Sequence, residues 1–350
     1  MTHNARWQKR GLGIVLLLLV LILLMSACSS SGGGATPAHP ELTAVTLQLP
    51  WVTQAQFAGY YVALDKGWYR EEGLDLTIRP GAPDIYSTDV VLHGGSDFGS
   101  IMLADLARVI SEEDAPLVSI AQIQQENGLL LLARKSSGIE TPADFVDQRV
   151  GIWLGSWETQ FDALLALEGL SRQDFELVAQ GYEMTPFIAG ELDVASAMIY
   201  NEYHTVLESG LAAEELNIID YADYGLDFPG DTLFTTREMI TQQPELAGRM
   251  LHATLRGWKY AIDHPEETVR IVLKYDQTDT QKYEHQLAMM EEIAKLVRVN
   301  TVRPLGYTER QDVLRMLKAL TTYGVITENL APEQVYTNEI WEGAQLDATQ

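Results

Sequence analysis

The only cysteine in these 350 residues stands at position 28, directly behind an apolar leader, and that placement limits how the rest can fold. Arg6, Lys9 and Arg10 form a basic head. Residues 14–25 are an apolar run, and Ser26 and Ala27 are a small-residue end, the three regions of a secretory signal. The remainder is expected to work outside the cytoplasm. It contains no second cysteine, so neither an intrachain disulfide nor a cysteine-based metal site can form. The seven histidines, at 3, 39, 93, 204, 252, 264 and 285, offer no HExxH motif and no i,i+4 pair, and no metal is expected. Stability must come from a hydrophobic core. The 323 residues from Cys28 onward are enough for one, and the length suggests two domains.

Leu24-Met25-Ser26-Ala27-Cys28 resembles the lipobox of bacterial lipoproteins. The resemblance implies cleavage before Cys28 and a lipid anchor on its thiol, at the outer face of a cell membrane. The alternative is an uncleaved anchor helix, for which the apolar run is short. Residues 28–41 (CSSSGGGATPAHPE) read as a flexible linker with nothing to pack. Removing the leader lowers the basic count from 24 to 21 against 49 acidic residues, a net charge of −28. Such a field repels polyanions, which argues against nucleic acid as a partner and disfavours phosphorylated solutes.

Residues 43–49 alternate as a strand and Pro50 stops them. Phe57, Tyr61, Leu64 and Trp68 then recur at helical spacing. Strands are expected at 74–78, 118–123, 129–133, 149–153, 175–178 and 194–198, with a short apolar segment inside 90–98. Helices run through Leu103, Leu106 and Ile110, and through Phe161, Leu164, Leu165 and Leu167. Thr141 reads as a cap before Pro142, and Ser156 as the cap of the helix after it. Alternating strands and helices imply parallel α/β sheets. Past Phe234 the pattern turns helical, at 244–262, 266–273, 282–297 and 308–320, the last opened by a capping box at Thr308. The expected organisation is a first lobe of 42–134 plus 236–350, including a helical tail, and a second lobe of 135–235. The hinges are expected near 134–138 and 232–236. Two α/β lobes, exported and tethered, suggest a solute-binding protein.

The stretch Trp51-Val52-Thr53-Gln54-Ala55-Gln56-Phe57-Ala58-Gly59-Tyr60-Tyr61-Val62-Ala63 resembles the opening of the ThiY-like substrate-binding proteins, as do Lys66-Gly67-Trp68-Tyr69 and Glu71-Glu72-Gly73-Leu74-Asp75-Leu76. Ala197-Met198-Ile199-Tyr200-Asn201-Glu202-Tyr203 carries a second signature; Gly95-Ser96-Asp97-Phe98-Gly99 and Gly151-Ile152-Trp153 are weaker ones. The resemblance covers roughly residues 45–235. It implies a type II periplasmic-binding-protein fold with a ligand cleft between two α/β lobes, an ABC-importer permease as partner, and a vitamin-like heterocycle as ligand. The chain looks most like the riboflavin-binding branch, with a formylaminopyrimidine precursor of thiamine as the alternative. The cysteine-rich motif of the related pyrimidine synthases is absent, so no enzyme activity and no cofactor are expected.

A flat heterocycle calls for aromatic walls and for fixed donors and acceptors at its edge. In α/β sheets, ligands sit beyond the carboxyl ends of the strands. Trp51 is therefore a ring wall or a hydrophobic plug. Trp153 and Trp157 flank a strand-to-helix turn, and one of them is expected at the cleft. Phe57 and Tyr61 share the apolar stripe, which leaves Tyr60 freer for ligand. Gln54 and Gln56 either read ring amides or belong to a solvated loop. Tyr200 closes the 194–198 strand region. The resemblance implies ligand contacts for Asn201 and Glu202; alternatively Asn201 caps a helix and Glu202 favours its dipole. Asp231 is read as a turn residue rather than a reader of hydroxyls. Closure of the lobes would trap the ligand unaltered. A hydrolase is disfavoured: no GxSxG, P-loop or clear His–Asp partner is present.

Overall fold

The computed structural model describes residues 42–155, 157–298, 303–327 and 329–344; the expected leader, Cys28, the linker to residue 41 and the Ser156 cap lie outside them. The strands are β1 (Thr43–Gln48), β2 (Leu74–Arg79), β3 (Phe98–Met102), β4 (Leu117–Gln122), β5 (Leu129–Arg134), β6 (Arg149–Ile152), β7 (Glu176–Ala179), β8 (Val194–Met198), β9 (Leu216–Asp220) and β10 (Asp231–Thr236). The helices of seven residues or more are α1 (Ala58–Asp65), α2 (Leu103–Glu113), α3 (Thr159–Glu168), α4 (Glu202–Glu208), α5 (Pro244–Asp263), α6 (Pro265–Tyr275), α7 (Tyr283–Val297) and α8 (Arg310–Thr322).

Two five-stranded sheets share one plan, β2-β1-β3-β10-β4 and β7-β6-β8-β5-β9. In each, three parallel strands are extended by one antiparallel strand and then an edge strand. The sheets are thus mixed rather than all-parallel as expected. The reason is geometric. A strand reached through a helix re-enters its sheet from the far end, whereas β5 and β10 arrive straight from the other lobe and start at the cleft.

Sheet membership also corrects the lobe boundaries. Strand β5 belongs to the second sheet and β10 to the first, so the chain crosses at 123–128 and 221–230, not at 134–138 and 232–236. A run such as Leu129–Leu132 is apolar throughout because it is buried on both faces, and such a run does not reveal which sheet it joins. Strand β10 was hidden by its composition, DTLFTT. Thr232 and Thr235 are buried and satisfied: Thr232 Oγ1 donates to the Ala121 carbonyl at 2.7 Å and Thr235 Oγ1 to that of Asp97 at 2.6 Å.

The two crossings are bonded to each other. The Gly230 amide donates to the Gln124 carbonyl at 3.1 Å and the Gln124 amide to that of Asp231 at 3.0 Å. The buried Gln122 side chain donates to the carbonyls of Gln124 and Gly230, at 2.8 and 2.9 Å. A second bridge joins α2 to α3. Asp105 accepts from the Thr159 amide at 3.3 Å and hydroxyl at 2.5 Å, and Arg108 reaches Asp162 at 3.1 Å.

The helical tail starts with α5 laid against α1 of the first lobe. Glycines permit this approach. A Cβ on Gly257 would lie 2.1 Å from the Gly59 carbonyl oxygen, and one on Gly59 would lie 2.2 Å from the Trp258 ring. Thr141 caps its short 3-10 helix in a capping box with Asp144, as the sequence suggests. Thr308 does not cap: α8 begins at Arg310 behind Glu309, and the Thr308 backbone is tied to Asn338 instead. Gly257→Ala is expected to lower unfolding stability by about 1–3 kcal/mol through overpacking, read as a lower urea midpoint at unchanged slope.

Candidate functional site

Trp51 leaves the first sheet just past β1, held by the amide of Gly81 donating to its carbonyl at 2.7 Å. Trp153 leaves the second sheet directly after β6, and its Nε1 donates to the Gly181 carbonyl at 3.1 Å. Trp157 lies two residues before α3 with φ of 61°, a left-handed conformation that is uncommon for a bulky residue. Gly155 two residues earlier has φ of 77°, and any Cβ there would strike the Tyr86 ring. This tight turn aims both indoles of the second lobe at the one from the first.

The three rings meet edge to face. Trp51 lies 5.1 Å from Trp157 at 80° and 6.0 Å from Trp153 at 67°, and the latter two are 5.7 Å apart. Tyr182 leans on Trp51 at 4.6 Å. Each pair of this kind adds roughly 0.5–1.5 kcal/mol beyond area burial. The pocket among them, lined also by Gln54, Gln56, Met198, Asn201 and Glu202, keeps only about 10 Å³, room for a single water. The indoles fill most of the space between the two sheets here.

The floor is built of amides and carboxyls. Gln54 Nε2 donates to Gln56 Oε1, and Gln56 Nε2 to Asp231 Oδ2, both at 2.7 Å. Asp231 is buried at the cleft end of β10, and its Oδ1 has no hydrogen-bond partner. Burial pushes its carboxyl up to about 6, against the lowering effect of Gln56. Glu202 opens α4; it accepts from the Met198 amide at 2.9 Å and from Asn201 Nδ2 at 2.6 Å. Burial raises it to about 7. Asn201 is oriented in turn by His285, whose Nε2 meets its Oδ1 at 2.9 Å while Nδ1 meets Glu208 at 2.8 Å. His285 thereby ties the helical tail to the second lobe.

Six of the eight sequence candidates therefore line one pocket: Trp51, Gln56, Trp153, Trp157, Asn201 and Glu202. Tyr60 and Tyr200 do not line it. Helix α1 is buried on nearly every side rather than along one stripe, and Tyr60 packs edge-on to Trp258 at 5.9 Å. Tyr200 is fully buried beneath the floor, and burial raises both phenols far above their usual range. Asp231 is no turn residue but part of this floor. Asn201 stands at the N-cap position without a side-chain cap bond, its amide spent on Glu202. His285 was missed because its partners are distant in the chain and it lies alone on a helix. Among the described residues no group of three metal-ligating side chains is found.

Residues 54–268 match the family model described as NMT1/THI5 like. The chain belongs to the NMT1/THI5-like family. Members similar to it carry different names. A 4-amino-5-hydroxymethyl-2-methylpyrimidine phosphate synthase of Legionella pneumophila is 31% identical, over 65% of this chain and 72% of its own. The riboflavin-binding protein RibY of Chloroflexus aurantiacus is 24% identical, over 87% and 88%. The formylaminopyrimidine-binding protein of Halalkalibacterium halodurans is 25% identical, over 66% and 70%. Among solved structures, the aliphatic sulphonate binding protein SsuA of Escherichia coli superposes with a TM-score of 0.62 over 89% of this chain and 95% of its own, at 16% identity. A Bordetella bronchiseptica protein reaches 0.67 over 87% and 97%, at 19% identity. The family's chain here has the two-lobed type II periplasmic-binding-protein fold.

The buried carboxyl sets a pH dependence. Glu202 binds its proton more tightly folded than unfolded, so its burial is free of charge cost below the ordinary value near 4.5, and the cost grows as the pH rises toward about 7. Glu202→Gln, neutral at every pH, is expected to melt higher than the wild type at pH 8. The gap should close as the pH falls toward 4.5, read by calorimetry at a series of pH values.

Proposed function

We propose that this chain is the substrate-binding component of an ABC importer, that it closes on a planar nitrogen heterocycle outside the cell, and that the ligand is riboflavin. The observation that carries the reading is the meeting of Trp51 from one lobe with Trp153 and Trp157 from the other. Neither lobe alone has both walls. A flat ring entering between them exchanges indole–indole contacts for indole–ligand contacts and also gains the edge groups of the floor. Alignment with RibY along most of both chains supports the flavin, and the acidic surface suits an uncharged ligand over a phosphorylated one.

Release of the unaltered ligand to a membrane permease follows from this reading, with Cys28 as the lipid tether. Although a synthase is among the relatives, no step of chemistry is needed here. A formylaminopyrimidine is the second reading, favoured by Glu202: its carboxyl in the pocket suits an exocyclic amino group.

Titrating purified protein into riboflavin should quench the flavin fluorescence saturably. Trp51→Ala and Trp153→Ala should each weaken binding by about tenfold or more, the loss of one to two stacking contacts. Unquenched riboflavin with saturable binding of the formylaminopyrimidine would decide for the second reading.

A further inference from the structure

The closed aromatic pocket has a larger neighbour. A cavity of about 570 Å³ shares Trp51, Gln54 and Asn201 with it. The second lobe contributes Tyr182–Met184 and the outer face of α4, and the first lobe contributes the segment from Thr278 to His285. The sequence pattern marks only the helix that begins within this segment, at Tyr283, and gives no role to the loop residues before it.

The segment is held in place by two sets of hydrogen bonds. The Asp276 carboxylate accepts from the Thr278 amide at 2.9 Å, the Thr278 hydroxyl at 2.7 Å and the Gln281 amide at 3.3 Å. Gln281 Oε1 accepts from the buried Gln286 Nε2 at 2.7 Å, and Gln286 Oε1 accepts from the Ala55 amide at 2.6 Å. This second relay ties the cavity wall to the backbone between Gln54 and Gln56. It also fixes which way the Gln281 amide points. Its oxygen is engaged, and its NH2, on a residue lining the cavity, has no protein acceptor among the described residues.

We propose that this cavity is a second subsite, receiving an uncharged, hydroxyl-bearing chain attached to the ring that the indoles hold. The wall offers the hydroxyl oxygens of Thr205, Thr278 and Thr280 as acceptors, their protons being engaged by the Asn201 carbonyl, the Asp276 carboxylate and Thr278, and the NH2 of Gln281 as a donor. A hydroxyl both donates and accepts. An apolar chain would leave the Gln281 NH2 without an acceptor where closure removes water. A phosphate would face Glu183 and Glu208, against Lys282 and a His285 already engaged by Glu208. The inference rests on the flavin reading and adds the part of the ligand that discriminates.

The test is a titration of three flavins with one ring system: riboflavin, lumiflavin with a methyl in place of the ribityl chain, and riboflavin 5′-phosphate. Wild-type protein is compared with Gln281→Ala. Riboflavin should bind about tenfold tighter than either of the others, and Gln281→Ala should remove most of its advantage over lumiflavin without changing lumiflavin affinity. Equal affinities for riboflavin and lumiflavin overturn the subsite and leave the flavin reading standing. So does a Gln281→Ala variant that weakens all three alike, since its role would then be structural. Tightest binding of the phosphate overturns the uncharged character. Failure of all three to bind overturns the flavin reading and the subsite with it.

Discussion

Everything at the cleft depends on the paired crossing of the chain at 123–128 and 221–230. These two segments bond to one another through the Gly230–Gln124 and Gln124–Asp231 backbone contacts, under the amide of Gln122. Because both cross at the cleft ends of the sheets, β5 and β10 must begin there and run antiparallel to their neighbours. That topology places Trp51, Gln56 and Asp231 on one side and Trp153, Trp157, Asn201 and Glu202 on the other, at contact distance. With the Asp105–Thr159 bridge and the His285–Asn201 contact, the pairing holds the two sheets at the shared pocket.

The cleft is electrostatically unlike the rest of the molecule. The exterior is strongly acidic, yet the floor is assembled from side-chain amides wrapped around two buried carboxyls. Desolvation holds Asp231 and Glu202 at about 6 and about 7, so each sits near the point where its proton is exchanged. Amides rather than cations support them. An amide network keeps a definite pattern of donors and acceptors and adds no charge that would draw in the anions the surface field repels.

The indoles serve the protein in two ways. Packed edge to face, they leave no dry void between the sheets, which would forfeit dispersion contacts. Under the proposed function their faces are the walls for the ring of the ligand. The left-handed conformation of Trp157 and its buried, unpartnered Nε1 mark a residue held by its surroundings rather than by its own preferences.

Much of this was legible in the residues alone. The strands at 43–48, 74–79 and 194–198, the long helices of the tail and the six candidates that line one pocket follow from local periodicity and from position just past strand ends, which are short-range properties. The resemblance to solute-binding proteins pointed to the same fold. Three things were decided only in space. Apolar runs and a threonine-rich strand carry no record of which sheet they join, so β5 and β10 were placed in the wrong lobe or overlooked. Tyr60 and Tyr200 turned inward because glycines on α1 and α5 let those helices close and because the floor covers the end of β8. His285 and Gln286 took their roles from Asn201 and Ala55, partners far along the chain. The local sequence determines which elements form and what chemistry they carry; long-range burial and hydrogen bonding determine which of those groups face one another.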